Sequence, residues 1–239
     1  MDLPVHTLIG PENKNGSLLL CGINHGYSKE DERLDAAGVD RSDPYKSFFS
    51  DKAVNDYKYR NTLAKWFSLW GYELGRDAST AGQFERSIVQ TNWLQSCSGN
   101  VRGMNIRQAC IDDSDSFLKT CEVLKPGVIF FVGSNLLSAF LSPELSARVN
   151  AIFGSPIGET VWLQKDVVNN GRARRRFKFG FQNYEKLSVV SMPHATGSAG
   201  IADDYIHAFK PEVSGVVESW WAGHKSRLAT ALQPTDVLC

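Results

Sequence analysis

The strongest constraint on this chain is a five-residue run with no polar member, Val128-Ile129-Phe130-Phe131-Val132. Pro126-Gly127 precedes it and Gly133-Ser134-Asn135 follows at once. A strand that is apolar on both faces must be covered on both, a pattern that belongs to parallel sheets sandwiched between helices. SLLLCGI at 17–23 and LSVVSM at 187–192 repeat it, and SIVQTNWL at 87–94 reads as a further strand ending in polar residues. Between the strands, Leu63, Trp66, Phe67 and Trp70 recur at helical spacing as a core stripe, with Asn55 or Asp56 to cap the helix and Gly71 to end it. A second helix carries Phe117, Leu118, Cys121 and Leu124 behind a cap at Asp113 or Ser114. A third starts at Ser142-Pro143-Glu144 and ends at Gly154, and C-terminal helices carry Trp220 and Trp221. Strands alternating with helices predict an α/β fold of three αβα layers around a central, mostly parallel four-stranded sheet. Residues 159–166 and 175–182 flank Asn169-Asn170-Gly171, whose Asn-Gly step tolerates positive φ, and predict an antiparallel β-hairpin arm at about 159–182. A length of 239 residues fits a single domain, 1–239, carrying that arm.

Twenty-six basic residues balance twenty-six acidic ones, so no bulk field draws the chain to a polyanion, and any such contact needs a local patch. Arg172, Arg174, Arg175, Arg176 and Lys178 form the only dense basic cluster, and DNA affinity comes mainly from phosphate neutralisation. Strand alternation lets at most half of them face one phosphate track; the competing reading is a solvated hairpin. The five cysteines show no CxxC or Cys/His ligand spacing and no hydrophobic leader accompanies them, so reduced thiols in a cytoplasmic protein are expected, with no metal and no cofactor. The longest apolar run is far short of the roughly 20 residues of a membrane-spanning helix, so no membrane partner is expected. His6, His207 and His224 lie away from every polar loop and read as surface or helix-face residues.

Open parallel sheets bind ligands at the carboxyl ends of their strands. Three polar loops stand there: Gly22-Ile23-Asn24-His25-Gly26, Thr91-Asn92-Trp93 and Pro193-His194-Ala195-Thr196-Gly197. They offer amides, imidazoles and hydroxyls, but no carboxylate pair and no lysine or cysteine placed as a nucleophile. In this order the loops resemble the motifs of the uracil-DNA glycosylase superfamily. GINHG is similar to the first motif of its mismatch-specific and thymine-DNA branch, usually GINPG. TNW resembles the base-reading Asn at the end of the second strand, VIFFVGSNLL the third strand and its loop, and HATG the HPS-type motif.

The resemblance implies an enzyme, a monofunctional DNA glycosylase, acting as a monomer on DNA. It flips a base out of the stack and hydrolyses the N-glycosidic bond, leaving an abasic site. It implies catalytic roles for Asn24, which orients the attacking water, and His194, which donates to the O2 of the departing pyrimidine. Asn24 stands where other branches carry a carboxylate; an amide cannot serve as a general base, so slower chemistry is expected, and no lysine matches a Schiff-base position. The resemblance further implies that Asn92 reads the base edge and that Phe48 or Phe49 stacks on the base. Gly22, Ile23, His25, Gly26 and Thr196 line the pocket, and Ser198 and Ile201 lie near the position of a duplex-filling wedge. His25 replaces the usual Pro, while Ala195 and Thr196 replace Pro and Ser. Gly26 matches a position where the strictly uracil-specific branch holds a Tyr that blocks pyrimidine C5. An open C5 side points to a C5-substituted pyrimidine, such as glucosylated hydroxymethylcytosine of phage DNA, and to antiviral defence. The alternatives are ordinary uracil or mismatch base-excision repair, and a non-catalytic domain that binds modified DNA.

Overall fold

A computed structural model describes residues 12–26, 33, 36–38, 48–49, 58–75, 81–98, 103–166, 168–169, 172–173, 177–196 and 201–231. The apolar runs become neighbours in one sheet: β1 (Leu18–Gly26), β2 (Ile88–Ser98), β3 (Val128–Val132) and β8 (Leu187–Met192). Their order is β2-β1-β3-β8, and each adjacent pair is parallel. Two more strands, β4 (Pro156–Leu163) and β7 (Phe179–Tyr184), continue the sheet antiparallel beyond β8. The mostly parallel α/β sheet expected from sequence is therefore present, but it is six-stranded and mixed rather than four-stranded. The correction has a simple origin. The base of the hairpin is not a free arm, because β7 pairs with both β4 and β8. Only the tip leaves the sheet, as a two-residue ladder of β5 (Val168–Asn169) and β6 (Arg172–Ala173) in which Asn169 pairs with Arg172; Asn170 and Gly171, the expected turn, lie outside the described residues.

Strand alternation divides the core into two layers. Leu18, Leu20, Val128, Phe130, Val132, Val190 and Met192 face α1 (Lys58–Leu69), α7 (Asp203–His207) and α8 (Lys210–Ala231). Leu19, Cys21, Ile23, Ile129, Phe131 and Val189 face α3 (Ile106–Asp112), α4 (Asp115–Leu124), α5 (Ser134–Phe140) and α6 (Pro143–Phe153). A single turn, α2 (Gln83–Arg86), leads into β2. Leu63, Trp66 and Phe67 of α1 are buried as the stripe predicts, each worth about 1.5–3 kcal/mol relative to exposure. Pro143 sits in the first turn of α6 and Gly154 closes it at φ +80. On the other layer Trp93 stacks on Phe117 with centroids 4.1 Å apart, and its indole N–H donates to the Cys110 carbonyl at 2.8 Å. Cys21, Cys110 and Cys121 are free, buried thiols, and no described helix is long and apolar enough to cross a membrane.

His207 is exposed as expected, but His224 is a correction. It is 1% exposed, its Nε2 donates to the Glu12 carbonyl at 2.7 Å, and its ring stacks on Trp220 at 5.1 Å. This histidine ties the C-terminal helix to the chain entering β1. The residues proposed to cap α1, Asn55 and Asp56, and His6 lie outside the described residues, as does most of the polar stretch before Asp51.

Candidate functional site

α1, between β1 and β2 in the chain, lies on one face of the sheet and α5, which follows β3, on the other, the arrangement in which open α/β sheets bind ligands at the carboxyl ends of their strands. Gly22 pairs with Asn92 across β1 and β2, and both lie on the α1 side of the sheet. A Cβ on Gly22 would stand 2.3 Å from the Asn92 Oδ1 and 3.0 Å from the Tyr59 Oη. Only a residue without a side chain fits there, because the Asn92 carboxamide from β2 and the phenol from the first turn of α1 both reach over its Cα.

Two residues further along the same face, at a rise of about 3.3 Å per residue, comes the half-buried Asn24. The β1–β2 register slips between Asn24 and His25, so that His25 pairs with Cys97 and Gly26 with Ser98. Such a bulge re-aims the strand end, and bulges concentrate beside functional sites.

From β8 comes His194, half-buried, with its ring centroid 5.9 Å from that of Tyr59. Its Nδ1 accepts the Thr196 backbone N–H at 3.3 Å, with the Thr196 hydroxyl 3.2 Å away. An N–H can only donate, so Nδ1 carries no proton and the neutral ring holds its hydrogen on Nε2. Burial lowers the His194 pKa below the ordinary 6.5 and keeps the ring in that neutral form at pH 7. The arrangement puts a donor with a fixed tautomer beside the Tyr59 phenol, at the same end of the sheet as the Asn24 and Asn92 carboxamides.

Of the pocket residues expected from sequence, Gly22, Asn24, Asn92, His194 and Thr196 gather at this end of the sheet. Phe48 is half-buried, 6.4 Å from the Tyr59 ring, and its carbonyl accepts from the buried Arg60 guanidinium at 3.0 Å. Phe49 is 1% exposed and packs against Phe67 in the core, so it is a core residue and of the two rings Phe48 is the one beside the site. The Ile23 side chain belongs to the opposite layer, against Gly133, so any part this residue plays at the site falls to its main chain. Ile201 packs half-buried against the α1-side core rather than projecting as a wedge. Lys178 is exposed at the base of the tip. Of His25, Gly26 and Arg172 only the backbone is described, and Arg174, Arg175, Arg176 and Ser198 lie outside the described residues.

Tyr59 is the site residue that sequence reasoning missed. It stands one turn before Leu63 and so reads as one more member of the helix stripe; the only signal against that is a hydroxyl at an otherwise apolar position. A separate cleft of about 430 Å³, lined by Lys125, Arg148, Lys186 and Glu122 among others, opens by the amino ends of β3 and β8, at the other end of the sheet. It shares no residue with the cluster just described. The chain was compared with protein-family models and with curated proteins, and neither comparison gives a match.

Proposed function

We propose that the residues gathered at the carboxyl ends of β1, β2 and β8 release a base from DNA by hydrolysis of the N-glycosidic bond, and that the base is a pyrimidine carrying a C5 substituent. The observation that carries the reading is the neutral, Nε2-protonated His194 at the carboxyl end of a parallel strand, on the same side of the sheet as Gly22 and Asn92. When the bond breaks, its electron pair goes to the pyrimidine N1, the sugar becomes oxocarbenium-like, and negative charge spreads onto O2. A preset neutral donor stabilises that charge without giving up its proton, and one donor of this kind is worth about 3 kcal/mol, on the order of a hundredfold in rate. Asn24 accepts a hydrogen bond from the water that adds to C1′ and holds it below the sugar; the water's second proton leaves to solvent. The Asn92 carboxamide reads the base edge, and Phe48 lies against the base plane. The resemblance of GINHG, TNW and HATG to the motifs of the uracil-DNA glycosylase superfamily supports the same reading.

Gly26, which leaves the C5 side without a blocking side chain, supports the choice of a substituted base, with glucosylated hydroxymethylcytosine in phage DNA as the substrate to try and defence as the setting. One feature favours a second reading. Asn24 cannot accept a proton, which suits a domain that binds modified DNA without cutting it. The deciding experiment is abasic-site formation on uracil duplex and single strand, 5-hydroxymethylcytosine DNA, and glucosylated phage DNA. Release confined to the bulky base supports the reading, and release of uracil alone returns the protein to ordinary repair. Tight binding with no release favours the non-catalytic alternative.

A further inference from the structure

The Tyr59 hydroxyl is fully buried and has no hydrogen-bond partner among the described residues. A buried hydroxyl without a partner is destabilising, and such groups in native structures call for an explanation. Burial also pushes the phenol pKa far up, so the hydroxyl keeps its proton and remains a donor at every working pH. Its oxygen and the Asn92 Oδ1 approach the same point above Gly22, to 3.0 and 2.3 Å, one from α1 and the other from β2. The donor without an acceptor and a carboxamide oxygen that can accept thus converge where the missing Cβ of Gly22 leaves room.

We propose that Tyr59 is a positioning residue for base selection: its hydroxyl closes onto the Asn92 carboxamide oxygen as a base enters, and fixes which end of that amide faces the base. An amide donates at one end and accepts at the other. A cytosine-type edge presents an amino group where a uracil-type edge presents a carbonyl, so the orientation of one amide separates the two. Burial of Tyr59 between the Phe48 and His194 rings suits this indirect role, since the hydroxyl need not touch the base itself. The inference rests on these residues forming a nucleobase site.

The probes are oligonucleotide pairs with one C5 group and different base edges: 5-hydroxymethylcytosine against 5-hydroxymethyluracil, and the glucosylated form of each. Base release is measured for the wild type, Tyr59→Phe, Asn92→Ala and the double variant, together with Tm. The wild type discriminates within a pair. Tyr59→Phe lowers the ratio of the two kcat/KM values about tenfold, the usual weight of one hydrogen bond. Its Tm does not fall, because an unsatisfied hydroxyl has been removed. In the Asn92→Ala background the same change leaves the ratio unaltered, since the residue it acts through is gone. Equal release of both members by the wild type, an unchanged ratio in Tyr59→Phe, or an equal drop with and without Asn92 overturns the role of Tyr59 while the base-release reading stands. A wild type that releases no base from any probe overturns both.

Discussion

Gly22→Ala inserts a single methyl group where two polar side chains already converge. The new Cβ would lie 2.3 Å from the Asn92 Oδ1, well inside van der Waals contact, and 3.0 Å from the Tyr59 Oη. The main chain cannot give way easily, because Gly22 and Asn92 are register partners in the β1–β2 ladder and β1 is paired on its other side with β3. The Asn92 side chain must therefore swing out, and Tyr59 must yield by a few tenths of an ångström. Overpacking of this kind costs about 1–3 kcal/mol, which for a domain of this size lowers Tm by about 2–12 °C. Displacing the carboxamide would also remove the base-edge contact proposed for it, so release from the preferred oligonucleotide should fall at least about tenfold. Calorimetry and an abasic-site assay on the same preparations read the two effects separately. Adding Asn92→Ala to Gly22→Ala removes the clashing oxygen and should return Tm to that of Asn92→Ala alone, with release still impaired. A Gly22→Ala protein with wild-type Tm and wild-type release would refute the reasoning, because the collision at Gly22 is what ties Asn92 to the site.

His194→Ala should keep the fold, since the ring is only half-buried, and lower the rate of base release about a hundredfold; circular dichroism and single-turnover kinetics check it. Burial depresses the pKa values of both His194 and His224 below 6.5, so the unfolded chain binds more protons than the folded one as pH falls through that value. Their contribution to stability is present above about pH 6.5 and is lost as pH falls through the folded pKa values; Tm measured from pH 8 to pH 5 should decline on the acid side. Within that profile, His224→Ala removes the bond to the Glu12 carbonyl and the stacking on Trp220, and should cost about 2–3 kcal/mol by urea unfolding at pH 7.5 with little change in release per folded molecule. Replacing Arg172, Arg174, Arg175, Arg176 and Lys178 with serine should flatten the salt dependence of DNA binding; an unchanged slope removes the hairpin tip from the DNA interface.

The parts of the fold that were legible in the sequence are those where one residue's neighbours in the chain decide its environment. Val128–Val132 is apolar throughout and is buried throughout, and the α1 stripe at Leu63, Trp66 and Phe67 faces the core as its spacing requires. Elements decided by distant partners were not legible. The polar end of β2, beyond Leu94, remains strand because β1 continues alongside it past the bulge. Helix α3 is seven residues long and too short to build a periodic signal; it is placed by Cys110, whose carbonyl receives the Trp93 indole. Strand β4 is an edge strand with Ile157, Val161 and Trp162 exposed, so neither alternation nor a continuous apolar run marks it as the end of a six-stranded sheet. Among the candidate site residues, Asn24, Asn92 and His194 could be nominated because each ends an apolar run, although the residues read as loops at Asn24 and Asn92 continue as strand in β1 and β2. Tyr59 and the division of labour between Phe48 and Phe49 could not, because they depend on how helix α1 lies across β1. His224 looked peripheral for the same reason, as its partners Glu12 and Ser87 are far away in the chain.

The most direct test of base release at this site is mass-spectrometric detection of free base and abasic aldehyde, in equal amounts, from one oligonucleotide carrying glucosylated 5-hydroxymethylcytosine. Wild type, Asn24→Ala and His194→Ala are compared at matched folded concentration. The account predicts stoichiometric release by the wild type and a loss of about a hundredfold or more in His194→Ala, with a clear loss in Asn24→Ala. Release that persists undiminished in both variants, or its absence from the wild type on this and on uracil DNA, would contradict it.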